Sequence, residues 1–153
     1  MLKWKRKRIR VGSTPLGRGV FSVGSIKSGK IIGEIAGTVR SESDPTSSEY
    51  AMDLGSGMTL DPAPPFRFLN HSCEPNCELI TWEDEEEAKP GIPPHLLLRA
   101  LRDIDPEEQL WIDYAWPAEM AIPCACQSRN CRGWIVDVDQ LAHVVGARRH
   151  SNS

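Results

Sequence analysis

No run of apolar residues in this sequence approaches the ~20 that a membrane-spanning helix needs. The basic start of the chain lacks the apolar stretch of a secretory signal. Positive charge is not in excess either: 18 Lys and Arg against 21 Asp and Glu leave a net charge of −3. That balance argues against nucleic-acid binding over the whole surface and leaves room only for a local basic patch. No internal repeat is present. Helical periodicity is scarce and confined to the last part of the chain. A disulfide framework is also missing, because the five cysteines are an odd number, two near the middle and three late. Such a distribution points to a metal site in a reducing compartment, which places the protein inside the cell and leaves nucleus and cytoplasm both open.

What is present is a length of 153 residues, enough for one domain with a real core. Residues 1–10 hold six Lys or Arg and read as a basic arm. It is either a solvated tail or a contact for nucleic acid or an acidic partner. Ile9 and Val11 flank Arg10, so the end of the arm is placed to pair as a strand. Gly17-Arg18-Gly19 reads as a tight turn that lets backbone approach a ligand, and no long amphipathic helix follows it to make a dinucleotide fingerprint. Strands are expected at 20–23, 31–35, 50–54, 58–61, 78–82, 95–101 and 109–113, with a loop at 40–48. Pro62, Pro64 and Pro65 break regular structure. Five consecutive acids, Glu83 to Glu87, open a solvated, Pro-rich loop. Residues 137–149 read as a helix, capped by Asp137 or Asp139 and carrying Leu141, Val144 and Val145 on one side. Many short strands joined by Gly and Pro turns make the domain mainly β.

Three stretches carry the chemistry. The first is Arg67-Phe68-Leu69-Asn70-His71-Ser72-Cys73-Glu74-Pro75-Asn76-Cys77, the second Leu110-Trp111-Ile112-Asp113-Tyr114. The third is Cys124-Ala125-Cys126-Gln127-Ser128-Arg129-Asn130-Cys131-Arg132-Gly133. Residues two apart in an extended segment face one side, so Cys124 and Cys126 can aim at one ion and Cys131 can return as a third ligand. A structural zinc takes four thiolate or imidazole ligands. Cys73 is the assigned fourth ligand and Cys77 the alternative. The site ties the late segment to the middle of the chain.

In order and wording these pieces resemble a SET-domain protein-lysine methyltransferase with a post-SET cysteine cluster. The resemblance runs from about residue 14 to 135. It rests on Gly17-Arg18-Gly19, Tyr50, Arg67 to Asn76, Glu107 to Tyr114 and Cys124 to Gly133. It implies a SET fold of several small β-sheets with a knot-like threaded segment, a post-SET zinc loop and a short C-terminal helix. The corresponding division is a basic arm at 1–10, a SET domain at 11–116, a post-SET zinc segment at 117–135, and a helix and tail at 136–153. It further implies S-adenosylmethionine as methyl donor and Zn2+ as structural ion. Gly17, Arg18, Gly19, Tyr50, Asn70 and His71 would line the donor site, with Trp134 or Ile135 packing on the adenine. Tyr114 would be the catalytic residue, orienting the sulfonium methyl and the amine. The implied partner is a lysine-containing protein such as a histone tail or another basic protein, which the acidic run at 83–87 could steer. Ile112 stands where Tyr or Phe is usual, and Ala36 where an aromatic is common. Those departures keep a second function open, a catalytically silent module that binds peptides. A nucleic-acid-binding zinc protein ranks last, since the late cluster lacks histidine and the net charge is negative.

Overall fold

The computed structural model describes residues 5–144, and the chain divides into two compact units. The first takes in Met1–Leu69 and Asn76–Leu110. It begins with an antiparallel hairpin of β1 (Ile9–Thr14) and β2 (Gly17–Ser22). Pro15 and Leu16 make the turn, and Thr14 fixes it twice. Its Oγ1 accepts from the Leu16 N–H at 3.0 Å and donates to the Gly17 carbonyl at 2.9 Å. Gly17 leaves that turn at φ +107°, which a residue with a side chain rarely adopts. The Gly17 to Gly19 stretch is therefore strand, not the turn expected from its glycines. The turn lies two residues earlier, where Pro15 supplies it.

The basic arm is fastened at its end. The Lys7 N–H donates to Ile32 at 2.8 Å, and Arg10 lays its guanidinium 4.5 Å from the Phe21 ring while pairing with Glu107 at 2.7 Å. Residues 1–4 of the arm lie outside the described residues, as do Val145 to Arg149 of the expected C-terminal helix.

A three-stranded antiparallel sheet follows, in the order β3 (Ile31–Glu34), β9 (His95–Ala100), β8 (Cys77–Trp82). As the central strand, β9 is covered on both sides, and Leu96, Leu97 and Leu98 are all buried. This explains its continuous apolar run. Val20, Ile32, Ile104 and Leu110 are buried with it. A second three-stranded sheet has the order β4 (Gly37–Ser41), β6 (Met58–Pro62), β5 (Met52–Gly55). Here the strand reaches Ser41, into what the polar sequence suggested was loop. Arg40 and Ser41 find partners in Thr59 and Met58, and pairing outweighs their weak intrinsic preference. Gly37 admits no side chain, because a Cβ there would sit 2.1 Å from the Asp61 carbonyl oxygen. Pro62 ends β6 where only β4 still pairs with it. A short 3-10 helix, Phe66–Phe68, then leads to the end of this part of the unit.

The second unit takes in Asn70–Pro75 and Trp111–Ser153. Its parallel pair, β7 (Asn70–His71) with β10 (Trp111–Ile112), sets Trp111 beside Asn70 and Ile112 beside His71. An antiparallel pair, β11 (Ile122–Pro123) with β12 (Trp134–Ile135), closes the base of the cysteine segment. Asp137 caps a 3-10 helix, Val138–Gln140, by accepting from the Asp139 N–H at 2.8 Å. One helical turn, 141–144, continues from it. Ile112, Val136 and Val144 are buried in this unit.

Candidate active site and cysteine centre

The cysteine segment closes on itself through the β11–β12 pair. The Cys124 N–H donates to the Gly133 carbonyl at 3.0 Å, and the Cys131 N–H to the Ser128 carbonyl at 3.2 Å. Cys124, Cys126 and Cys131 thus converge, and Cys73 joins them from the short segment after β7. The four sulfurs lie within 4.8 Å of one another. Cys73 Sγ is 3.8 Å from that of Cys124 and 4.0 Å from that of Cys131. Four thiolates around a tetrahedral ion with metal–sulfur bonds of about 2.3 Å would stand about 3.8 Å apart, so the spacing fits such an ion. None of the five cysteines is in a disulfide. Cys77 is not a member of the cluster: it heads β8, is 1% exposed and pairs with Ala100.

The sulfurs are already supplied with donors. Arg132 N–H lies 3.4 Å from Cys73 Sγ, Gly133 N–H 3.4 Å from Cys131 Sγ, and Cys126 N–H 3.4 Å from Cys124 Sγ. Such donors disperse the charge of a thiolate. Burial pushes the Cys73 and Cys124 thiols up. Burial acts on Cys126 in the same sense, but hydrogen bonds from the Cys73 backbone and from Ser128 outweigh it and bring the thiol down to about 6. A bound cation would displace the protons that the thiols still hold.

His71 is 5% exposed and stands beside this cluster. Its Nδ1 accepts from the Tyr114 backbone N–H at 3.0 Å, and its Nε2 lies 3.5 Å from Cys73 Sγ. Burial lowers its pKa, Asp113 opposes and Arg132 adds to the lowering. Because Nδ1 accepts, the ring proton sits on Nε2 and points at sulfur. The Tyr114 ring packs 5.4 Å from the His71 ring and stacks on Trp116 at 5.4 Å. Asp113, next to Tyr114, accepts from Arg132 Nη2 at 2.9 Å and from the Ala115 N–H at 3.0 Å. The same Arg132 nitrogen reaches the Val136 carbonyl at 3.0 Å. Arg132 and Asp113 were not singled out from the sequence. The signals were the place of Arg132 directly after the third cysteine of its cluster and that of Asp113 directly before Tyr114.

The remaining residues are distributed over both units. Asn70 begins β7, and Trp134 begins β12, half-buried. In the first unit, Arg18 holds its guanidinium 5.2 Å from the Phe68 ring. Tyr50 is a turn residue rather than a strand residue, 40% exposed, with the Arg67 guanidinium 4.4 Å from its ring centre. Arg67 is held in turn by Asp61 at 3.2 Å.

The arrangement around Tyr114 offers a fixed phenol on a fixed backbone, which suits a reaction governed by orientation. Known proteins give the same direction. The SET domain model matches residues 17–115. The chain is 31% identical over 147 residues to the histone-lysine N-methyltransferase ASHR3 of Arabidopsis thaliana, covering 86% of this chain and 28% of that protein. It is 39% identical over 70 residues to the histone-lysine N-methyltransferase SETD1B of Homo sapiens, covering 44% of this chain and 3% of that protein. Two crystal structures of KRYPTONITE resemble it at 26% identity, each over 86% of this chain and 30% of that one. One, in complex with mCHG DNA and SAH, gives a TM-score of 0.73. The other, with mCHH DNA, an H3(1–15) peptide and SAH, gives 0.72. The chain spans less than a third of the length of each of these proteins. With the matched region holding the Asn70 to Asn76 stretch and ending just past Tyr114, the chain belongs to the SET-domain family.

Proposed function

We propose that this protein is a protein-lysine N-methyltransferase that moves a methyl group from S-adenosylmethionine to the side chain of a lysine in a basic protein such as a histone tail. The observation that carries the reading is the fixing of Tyr114 from two sides, by His71 at its own N–H and by Arg132 through Asp113. Relatives named histone-lysine N-methyltransferases and neighbours crystallised with SAH, one of them also with an H3 peptide, support it.

The reaction is an in-line displacement. The lysine nitrogen lone pair forms the new C–N bond as the C–S bond breaks, and the electron pair stays on sulfur, leaving S-adenosylhomocysteine. The amine must be neutral to attack, and an apolar surrounding lowers its pKa toward that state. The Tyr114 hydroxyl acts without ionising: it accepts from the amine or the polarised methyl and aligns the two. Gly17, Arg18, Gly19, Tyr50, Asn70, His71 and Trp134 are carried as donor contacts by the motif match. Zn2+ held by Cys73, Cys124, Cys126 and Cys131 would supply structure and no step of the displacement. The acidic stretch 83–87, exposed between β8 and β9, is suited to attract a Lys-rich chain from a distance. Reduced thiols fit an intracellular setting.

The test is transfer of labelled methyl from S-adenosylmethionine to core histones and to a whole-cell lysate, beside Tyr114→Phe. Expected are a labelled protein band with the wild type and a loss of about 100-fold or more with the variant. Absence of label together with absence of any thermal shift from S-adenosylhomocysteine, in zinc-loaded protein, would favour the silent peptide-binding module instead.

A further inference from the structure

We infer that His71 and Arg132 are positioning residues through which the four-cysteine site sets the geometry of the Asp113–Tyr114 segment. The inference rests on the reading of Tyr114 as the catalytic residue and assigns the cysteine centre a second role besides holding the chain together.

Two routes leave Cys73 Sγ, and they come together where His71 Nδ1 lies 3.6 Å from Asp113 Oδ1. In the first, the His71 ring spans Cys73 Sγ and the Tyr114 N–H, at 3.5 and 3.0 Å. The two ring nitrogens do different work: Nε2–H donates to sulfur, and the lone pair on Nδ1 receives the backbone proton. A thiolate is a stronger acceptor than a thiol, so a metal-bound Cys73 holds the ring more firmly than a protonated one. In the second, Arg132 follows Cys131 directly. Its N–H bonds Cys73 Sγ at 3.4 Å, and its guanidinium bonds Asp113 at 2.9 Å and the Val136 carbonyl at 3.0 Å. Asp113 passes this on, since the oxygen that accepts from Arg132 also receives the Ala115 N–H at 3.0 Å. Residues 113 and 114 are thus each held by a residue that also contacts Cys73 Sγ, and residue 115 is held one step further on, through Asp113. Ala115 needs such holding, because it sits at φ +49°, a conformation that a residue other than glycine keeps only under constraint. His71 reaches Tyr114 across 43 residues of sequence and Arg132 reaches Asp113 across 19, so neither contact is imposed by chain neighbourhood.

The experiment separates the two ends of the His71 bridge. In His71→Asn the amide oxygen stands near the place of Nδ1, so the acceptor for Tyr114 is kept and the donor to sulfur is lost. In His71→Gln the amide nitrogen stands near the place of Nε2, so the donor to sulfur is kept and the Tyr114 acceptor is lost. The chain has two tyrosines. Incorporated 3-fluorotyrosine therefore gives two fluorine resonances, and Tyr114→Phe identifies the one of interest. Metal binding is read with Zn2+ affinity and with the sulfur-to-metal charge-transfer bands of Co2+. The expected result is a crossed pattern. His71→Asn weakens metal binding by about 10-fold or more, and once loaded shows a Tyr114 resonance as sharp as that of the wild type, displaced only by the loss of the imidazole ring 5.4 Å away. His71→Gln binds metal as the wild type does, yet its Tyr114 resonance is broadened, and kcat falls by about 10–100-fold with KM little changed. Arg132→Met behaves like His71→Gln, and Arg132→Lys recovers part of the loss. Parallel failure of both His71 variants, in metal binding and resonance together, would mean a merely structural histidine and overturn the inference. So would two variants that match the wild type. A crossed pattern in a wild-type protein that methylates nothing would support the coupling and remove the methyltransferase reading instead.

Discussion

Asn76, with 0% of its surface exposed, donates its side-chain amide to the Gln109 carbonyl at 2.8 Å. A second hydrogen from the same nitrogen reaches Glu108 Oε1 at 3.4 Å. Its own carbonyl accepts from the Leu101 N–H at 2.9 Å. The asparagine that closes the Asn70 to Asn76 motif is therefore a structural clasp on the segment just before Leu110. Asn76→Ala would leave a carbonyl without its donor inside the fold and cost about 1–3 kcal/mol. The urea midpoint should fall while the donor-binding constant of the folded protein stays the same. An unchanged midpoint would contradict this account.

His95 predicts how stability varies with pH. Its Nδ1 lies 2.5 Å from Glu34 Oε1, and its Nε2 lies 3.5 Å from Glu87 Oε2. The hydrogen bond to Glu34 raises its pKa above the ordinary 6.5, with Glu87 adding to the effect and burial opposing it. A raised value in the folded state means that the folded protein holds the proton longer. The contribution is complete below pH 6.5 and is lost as pH rises through the folded value. Wild-type protein should thus lose stability relative to Glu34→Gln as pH rises above 6.5 and through the folded value. Denaturant midpoints at steps of pH measure it, and parallel curves for the two proteins would refute it.

The cysteines divide by role. Replacing Cys73, Cys124, Cys126 or Cys131 with Ser removes a ligand from a set whose sulfurs lie within 4.8 Å of one another, so one Zn2+ per chain should be lost or bound far more weakly. Chelation of the wild type should lower its melting temperature in the same way. Cys77→Ser should keep the metal in full. It places a hydroxyl at a site 1% exposed and should cost about 1–3 kcal/mol of stability. Metal content by mass spectrometry and denaturation together separate the two effects. A Cys77→Ser protein that has lost its metal would reverse the ligand assignment.

Most strands were legible because their pattern and their burial agree. β9 reads as a covered strand from Leu96 to Leu98, whereas the hairpin turn was read at Gly17 to Gly19 from its glycines and lies at Pro15 and Leu16. β4 was legible only in part, since Arg40 and Ser41 are strand residues through their partners Thr59 and Met58 and not through any preference of their own. The two-residue strands Ile122–Pro123 and Trp134–Ile135 are too short to leave a periodic signal. The four cysteines could be grouped from spacing and chemistry. The contacts of His71 with Tyr114 and of Arg132 with Asp113 could not, because they join segments 43 and 19 residues apart, and no local rule specifies which polar groups will meet.

Ile112 should decide how many methyl groups are added. It stands two residues before Tyr114, where the family usually places Tyr or Phe. A tyrosine hydroxyl there can hold the amine, or a water beside it, in one orientation and so hinder a methylated amine from turning its lone pair back to the donor. Isoleucine has no such group and is smaller than either aromatic. The wild type should therefore carry one lysine beyond the first methyl group, and Ile112→Tyr should stop mainly at one. The position is 2% exposed and its backbone pairs with His71, so the larger ring will overpack the fold at a cost of about 1–3 kcal/mol. For that reason the quantity to read is not rate. Intact-mass spectra of a peptide substrate after exhaustive reaction give the ratio of mono-, di- and trimethyl product, which is independent of the fraction of enzyme that is folded. A wild type that stops at one methyl group would show that space at Ile112 does not set the product.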